Sequence, residues 1–327
     1  MKRVGDQVST VVVANPASDN WVTRKRCRQI QSVLRSKLSD LEWQLTERPG
    51  HATEITRNAL HSGAHMVVSV GGEGTNNEVL NGFFEGDTPV NEEAVLGLLP
   101  SGTACDFAKV LGIPKDIDMA ADVLVHGQPK SCDIGKARFA AHDERTVERF
   151  FLNVVDIGIG GETVARVNRT TKAFGATVSY LYSFLVSLLK YKNKPVRLIV
   201  DEEDMGETVI KGIAISNGKR CGGGMQVAPN ASVDDGLFDV LVVGDISRTE
   251  SLRHLPKLYG GTLMLPNKVQ RRRARRISVM SSERVLIDLD GEQPGMLPAT
   301  FEVLPHAVRI QVPADAQGKI TAKSEPL

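Results

Sequence analysis

The sequence predicts two domains, an α/β domain with a mainly parallel sheet followed by a β-rich domain of sandwich type. Three observations carry this. Over residues 10–114, apolar runs that end in glycine or proline turns alternate four times with segments of helical periodicity, the pattern of a parallel layer. From about residue 130, short β-like runs follow one another with turns between them, as a sandwich requires. The length of 327 residues allows two cores. The expected boundaries are 1–128 for the first domain, with about 306–327 returning to it, and 129–305 for the second.

In order, "VVVA" at 11–14 reads as a buried strand entering the Asn15-Pro16 turn. Residues 20–38 carry Ile30, Val33, Leu34 and Leu38 at helical spacing, and "LEWQLTER" alternates like a strand. "HATEITRNALHSG" is a short helix ended by Gly63, where helices favour glycine. Residues 66–70 form a second buried strand, followed by a glycine corner and a helix through Leu80; "AVLGLLP" is a third strand, and "SGTACDFAKVLGIP" opens a helix stopped by Gly112 and Pro114. The second domain offers "KSCDIGKA", "RFFLNVVDIGI", "VRLIVD", "VIKGIAISNG", "FDVLVVGDI", "RRISVMS", "RVLIDLDGE" and "TFEVL" as strands, with one amphipathic helix at about 176–191. The tail from residue 314 is polar and expected to fray.

Composition excludes several classes. Forty Lys and Arg against 39 Asp and Glu leave a net charge of +1, so no global field argues for nucleic acid as partner. The cysteines, Cys27, Cys105, Cys132 and Cys221, form no C-x-x-C pair. They suggest neither zinc nor a disulfide framework and fit a reducing cytoplasm. The N-terminal apolar run is too short for a signal sequence. The longest apolar stretch, 180–189, is about half of the roughly 20 residues a membrane-spanning helix needs.

The chemistry concentrates at two strand-to-helix corners. The first, Gly71-Gly72-Glu73-Gly74-Thr75, combines close backbone approach with a helix N-terminus suited to phosphate. It is neither G-x-G-x-x-G nor a Walker loop, since no lysine follows. Backbone would therefore hold any nucleotide, and Glu73 would face a metal or a hydroxyl. A plain tight turn that lets a helix pack close would look the same. The second corner, Ser101-Gly102-Thr103 with Asp106 in the next turn, repeats the logic one strand later.

With these motifs the chain resembles the diacylglycerol kinase catalytic family, in its bacterial soluble lipid-kinase branch. The family's G-G-D-G-T-x-N-E-V-x-N-G reads here as Gly71 through Gly82, its P-x-G-T-x-N-D-F-A-R-x-L-G-I-P as Pro100 through Pro114, and its G-G-G-M-x-x-A-P-x-A-x-x-D-D-G-x-x-D-V as Gly222 through Val240. Asp290-Gly291-Glu292 supplies the late D-G-E, and Asn15-Pro16 and "HATE" at 51–54 also fit. The resemblance implies a nucleotide-binding domain like those of phosphofructokinase and NAD kinase, with the active site in the cleft between the domains. It implies ATP-dependent transfer of the γ-phosphoryl group to a lipid hydroxyl, with diacylglycerol as leading acceptor. Asn15, Thr53, Gly71, Gly72, Glu73, Gly74, Thr75, Asn76, Asn77, Gly102 and Thr103 would line the nucleotide site. Ser232, Asp235 and Leu237, two of them through backbone carbonyls, would bind Mg²⁺, an arrangement that suits a hard cation. Glu292 would accept the proton, with Asp290 beside it and Glu73 on the nucleotide side.

Two departures stand out. The family's first aspartate is Glu73, one methylene longer, and its G-N-D is Ala104-Cys105-Asp106. Both put efficiency in question, since a ~1 Å misplacement can cost on the order of a hundredfold. A kinase for a sphingoid base, ceramide or phosphatidylglycerol, a NAD kinase or phosphofructokinase relative, and a degenerate nucleotide- or lipid-binding member are the alternatives. The basic run "KVQRRRARRIS" at 268–278 fits either peripheral contact with anionic lipid at the inner membrane face or a charged, protected strand edge. The helix near "YLYSFLVSLL" borders a lipid entrance or packs the core. "DIGIGGETVARVNR" lacks dinucleotide spacing, and the expected partners are a lipid substrate and, left open, a second copy of the chain.

Overall fold

The computed structural model describes residues 10–18, 22–102, 104–169, 176–265 and 267–314. One compact unit runs up to Cys132 and resumes at Val308; the other is Asp133–Ala307.

The first unit alternates strand and helix: β1 (Thr10–Ala14), α1 (Val22–Lys37), β2 (Leu41–Leu45), α2 (His51–His61), β3 (Met66–Gly71) and α3 (Glu73–Gly82). A small hairpin of β4 (Phe84–Glu85) and β5 (Thr88–Pro89) precedes β6 (Val95–Pro100), α4 (Asp106–Val110) and α5 (Ile117–His126). The strands lie in the order β2-β1-β3-β6, all parallel. β1, β3 and β6 are almost wholly buried, which is why they read as unbroken apolar runs. α5 begins where Asp116 accepts the Met119 N–H at 3.0 Å, an aspartate N-cap.

The second unit begins within β7 (Gln128–Ala141) and continues through β8 (Thr146–Phe151), β9 (Val154–Gly158), α6 (Ile159–Arg169), α7 (Ala176–Lys190), β10 (Lys194–Val200), β11 (Glu203–Ile210), β12 (Gly212–Ser216) and β13 (Phe238–Val243). There follow α8 (Arg248–Tyr259), β14 (Val269–Ala274), β15 (Arg276–Met280), β16 (Leu286–Leu289) and the long β17 (Glu292–Val312). Its ladders are antiparallel, running β14-β13-β12-β9-β16-β17, with β15 linking β17 to β10 and β11. Strand periodicity divides the side chains between two cores. Val155, Ile157, Ile213, Ile215, Val240 and Val242 join the interior around Phe151. That ring stacks on Phe238 at 5.5 Å and meets Phe301 edge-on at 6.5 Å. Their alternates Val154, Ala214 and Leu241 face the other way, against Phe184 and Leu188 of α7. Beyond Ala307, β17 pairs in parallel with β6, Arg309 opposite Val95 and Ile310 opposite Leu96, so the first unit gains its last strand from the end of the chain.

Where one helix was expected in the second domain, the described residues form three. α8 had a legible signal, since Ser247 accepts the Glu250 N–H at 3.2 Å and Glu250 accepts the Ser247 N–H at 2.8 Å, the reciprocal pair encoded by Ser-x-x-Glu. α6 was masked by its glycines, Gly160 and Gly161. A methyl on Gly161 would lie 2.5 Å from the Leu286 carbonyl carbon, so this helix packs its backbone directly against β16. The polar tail from residue 315 lies outside the described residues.

Candidate functional site

In the first unit the two glycine corners are built as one object. Ser101 and Gly102 both donate their N–H to the Gly71 carbonyl at 3.0 Å. A methyl on Gly102 would sit 2.5 Å from the Gly72 Cα, and one on Gly71 would sit 2.4 Å from Thr75 Oγ1. Glycine is required here by contact, since nothing larger fits between the corners. Asn15, at the end of β1, donates from Nδ2 to Thr75 Oγ1 at 3.2 Å, bringing a third strand end to the same place. Gly72, Glu73, Gly74 and Thr75 open α3, whose first N–H groups and dipole favour an anion.

Other expected nucleotide residues are engaged in holding this framework. Asn76 accepts from Ser69 Oγ at 2.7 Å, Asn77 is fully buried beneath Asn81, and Thr53 donates to the Glu78 carbonyl at 2.7 Å. Thr103 lies outside the described residues. Glu73, expected to face a metal or the acceptor, turns Oε1 to the second corner and accepts the Asp106 N–H at 2.5 Å. Between them Cys105 adopts a left-handed backbone with φ 49° and donates its thiol to the Gly102 carbonyl at 3.2 Å. Burial, and then the Glu73 carboxylate, push that thiol up to about 12; it is a small packed side chain, not a nucleophile.

In the second unit, Asp290 and Glu292 follow β16. Asp290 is buried, and its oxygens accept from the N–H groups of Leu152 at 2.8 Å, Asn153 at 2.9 Å and Val154 at 3.2 Å. It anchors the β8–β9 junction, one residue from Gly291 and two from Glu292. Glu292 is half exposed, and Oε2 meets Arg149 at 2.6 Å.

Two acids that sequence reading passed over complete this region. Asp156 on β9 and Asp288 on β16 are direct cross-strand partners. Asp156 shares its face with Val154, so it points to the core beside α7. Burial pushes its carboxyl up to about 6; Asp288 is also raised, by burial and then by Asp156. Two like charges so placed favour one shared proton. Asp156 lines an apolar cavity of about 100 Å³, whose walls include Phe184, Leu188, Val227, Leu241 and Leu258. Thus α7 both packs the core and walls the cavity. Cys221 approaches Asp156 Oδ2 at 3.6 Å. The available signal was an acid inside the apolar strands "VVDIG" and "LIDLDG", a break in local pattern that marks functional or strained sites.

The turn expected to hold Mg²⁺ offers oxygen ligands, as a hard cation prefers. Its charge is already matched: Asp235 pairs with Arg273 and accepts the Leu237 N–H at 3.1 Å, while Ser232 bonds to Asp234. Asp133 organises the turn by accepting the Gly236 N–H at 2.7 Å. No group of three or more His, Cys, Asp or Glu side chains suited to a metal occurs among the described residues. The basic run is likewise partnered, Lys268 with Glu250 at 2.6 Å, Arg271 with the Val227 carbonyl at 2.6 Å, Arg272 with Glu203 at 3.4 Å, and Arg273 with Asp235. Among the described residues no helix is long and apolar enough to cross a membrane.

Comparison with known proteins adds independent findings. Residues 9–137 match the diacylglycerol kinase catalytic domain, and residues 153–312 match the YegS C-terminal NAD kinase beta sandwich-like domain. A Bacillus subtilis protein named diacylglycerol kinase is 27% identical over 93% of this chain and 96% of its own length. A Pseudomonas syringae protein named "Probable lipid kinase YegS-like" is 28% identical over 85% of both chains. Among solved structures, a diacylglycerol kinase from Bacillus anthracis superposes with a TM-score of 0.68 at 22% identity, covering 93% of this chain and 97% of that one. A yeast NADH kinase shares the fold with a TM-score of 0.53 at 11% identity, covering 99% and 90%.

Proposed function

The chain belongs to the diacylglycerol kinase catalytic-domain family, and from that premise we propose that it is an ATP-dependent lipid kinase with diacylglycerol as acceptor. The observation that carries the reading is the apolar cavity of the second unit with one carboxyl, Asp156, in its wall. A chain-like substrate with a single hydroxyl fits that chemistry, whereas a sugar phosphate or dinucleotide would need many more polar partners.

The joined glycine corners receive the phosphates of ATP through backbone N–H groups, since phosphoryl transfer depends mainly on positioning and charge stabilisation. Mg²⁺ in this reading arrives with the nucleotide and neutralises phosphate charge; the Asp235 turn is not assigned to it. Glu292 accepts the proton of the lipid hydroxyl, with Arg149 fixing its position. Asp156 orients that hydroxyl by hydrogen bonding.

The test is transfer of labelled phosphate from Mg-ATP into diacylglycerol in mixed micelles, with a sphingoid base, ceramide, phosphatidylglycerol, NAD and fructose 6-phosphate as rival acceptors. We expect labelled phosphatidic acid from the wild type and a loss of about 10²–10⁴-fold in Glu292→Ala, the range for a positioned acid or base. Label in a rival acceptor alone would move the substrate assignment. Nucleotide binding without transfer to any acceptor would identify a degenerate member of the family.

A further inference from the structure

One lysine of the second unit has its stem packed in the protein and its charge turned to a recess. Lys211 occupies the break between β11 and β12, its N–H shared between the carbonyls of Val243 at 2.8 Å and Gly244 at 3.1 Å. It is 4% exposed. Among the described residues its ammonium group makes no hydrogen bond or ion pair; it lies 6.0 Å from the centroid of the Tyr191 ring. The stem is packed in the protein, while the ammonium group reaches the recess beside Tyr191 and is not matched there by a carboxylate. Burial, followed by the nearby Arg248, depresses its proton affinity.

Lys211 lines a recess of about 560 Å³ together with Lys192, Arg248 and Lys268. The acids in that lining are Asp245 and Glu250. Glu250 is matched by Lys268 at 2.6 Å, and Asp245 accepts from Asn193 Nδ2. Lys192, Lys211 and Arg248 are left with no ion pair among the described residues. Two buried polar groups of the recess have no hydrogen-bond partner, the Tyr191 hydroxyl and Asn193 Oδ1. The first can donate to an oxyanion, and the second can accept from a hydroxyl. On its other side Lys211 lines the apolar cavity that contains Asp156, and Ile246 also belongs to both spaces.

We infer that this recess is an anion site for a phosphate ester carried on an amphiphile, with Lys211 donating to the phosphate oxygens and the alkyl chain entering the adjoining apolar cavity. The alkyl half of this inference rests on the lipid-kinase reading; the anion half rests on Lys211 and its unpaired neighbours. A phosphorylated lipid is what the proposed reaction makes, so the recess would hold product or a related anionic lipid.

The experiment is calorimetric titration of the full chain with dihexanoyl phosphatidic acid, dihexanoylglycerol, glycerol phosphate and inorganic phosphate, each below any micelle concentration. It is repeated on Lys211→Met, which keeps the side-chain length and removes the charge. The wild type is expected to bind the phosphatidic acid about tenfold or more tightly than the neutral lipid, the scale of charge-assisted hydrogen bonds. Lys211→Met should erase that preference while its melting temperature holds or rises. Should that variant misfold, Arg248→Gln at the rim should lower the preference several-fold. Equal binding of charged and neutral lipid, or a preference that survives in Lys211→Met, would overturn the site. Inorganic phosphate or glycerol phosphate binding as tightly as the lipid would overturn the amphiphile half. Phosphoryl transfer without charge preference would sink this inference alone, whereas charge preference without transfer would sink the proposed reaction alone.

Discussion

The Glu73 carboxylate shows how one methylene can change a residue's task. Its Oε1 reaches the Asp106 N–H at 2.5 Å, a span that an aspartate at the same Cα would not cover. Glu73→Gln keeps an acceptor oxygen there, whereas Glu73→Asp withdraws it. We therefore expect Glu73→Asp to lower kcat/KM for ATP by about ten- to a hundredfold and Glu73→Gln to lower it much less. The opposite order would return Glu73 to a charge-dependent role. The Asp156–Asp288 pair makes a second residue-scale prediction. A carboxyl raised from 3.8 to about 6 binds more protons folded than unfolded, so its contribution to stability is full below the lower value and is lost as pH rises through the upper one. Urea unfolding between pH 4 and 7 should show this loss, on the order of 2–3 kcal/mol, and Asp156→Asn should flatten it. Glu73 and Glu292 stand out in the sequence because they sit in short local motifs. Asp156 and Asp288 do not stand out, because their meaning arises only when β9 and β16 pair, and no local spacing records that.

At the scale of elements, the parallel strands β1, β3 and β6 were legible because each is buried on both faces and must be apolar throughout. The glycines after them were legible as turns but not as contacts. Gly102 is needed because a methyl would fall 2.5 Å from the Gly72 Cα. Gly102→Ala should separate the corners and weaken ATP binding by about tenfold or more, by the same positioning argument; calorimetric titration against Gly112→Ala checks it. At Gly112 nothing lies within 4 Å of an added Cβ, although its φ of 73° still brings strain. That control separates backbone strain from closure of the binding corner. The second unit was harder to read. Its strand count and spacing suggested a sandwich, but α6 was hidden by paired glycines that allow helix-to-strand contact, and α8 was marked only by its Ser-x-x-Glu cap.

Across the whole molecule, charge and composition bounded the answer without choosing it. A balance of 40 basic and 39 acidic side chains removes any argument from a global field, and the basic run proves to be largely paired within its own unit. The architecture does yield a prediction. Because Arg309 and Ile310 supply a parallel strand beside β6, a chain truncated after Ala307 would expose the backbone edge of β6 and the apolar face that Val308, Ile310 and Val312 cover. Edges of that kind invite aggregation. The truncated chain should lose cooperative thermal unfolding and ATP binding together, and retention of either would show that the first unit closes without its last strand.

That late strand also sets a timetable in the cell. The glycine corners leave the ribosome when about a third of the polypeptide exists, yet their sheet waits for residues beyond 307. At roughly 5–20 residues per second, the delay is on the order of 10–40 seconds. During it the nascent segment has an open edge and no competence to hold nucleotide. Chaperone occupancy of stalled chains should therefore persist until translation passes Val312, and a premature stop late in the message should yield a protein handled as waste rather than a weakened enzyme.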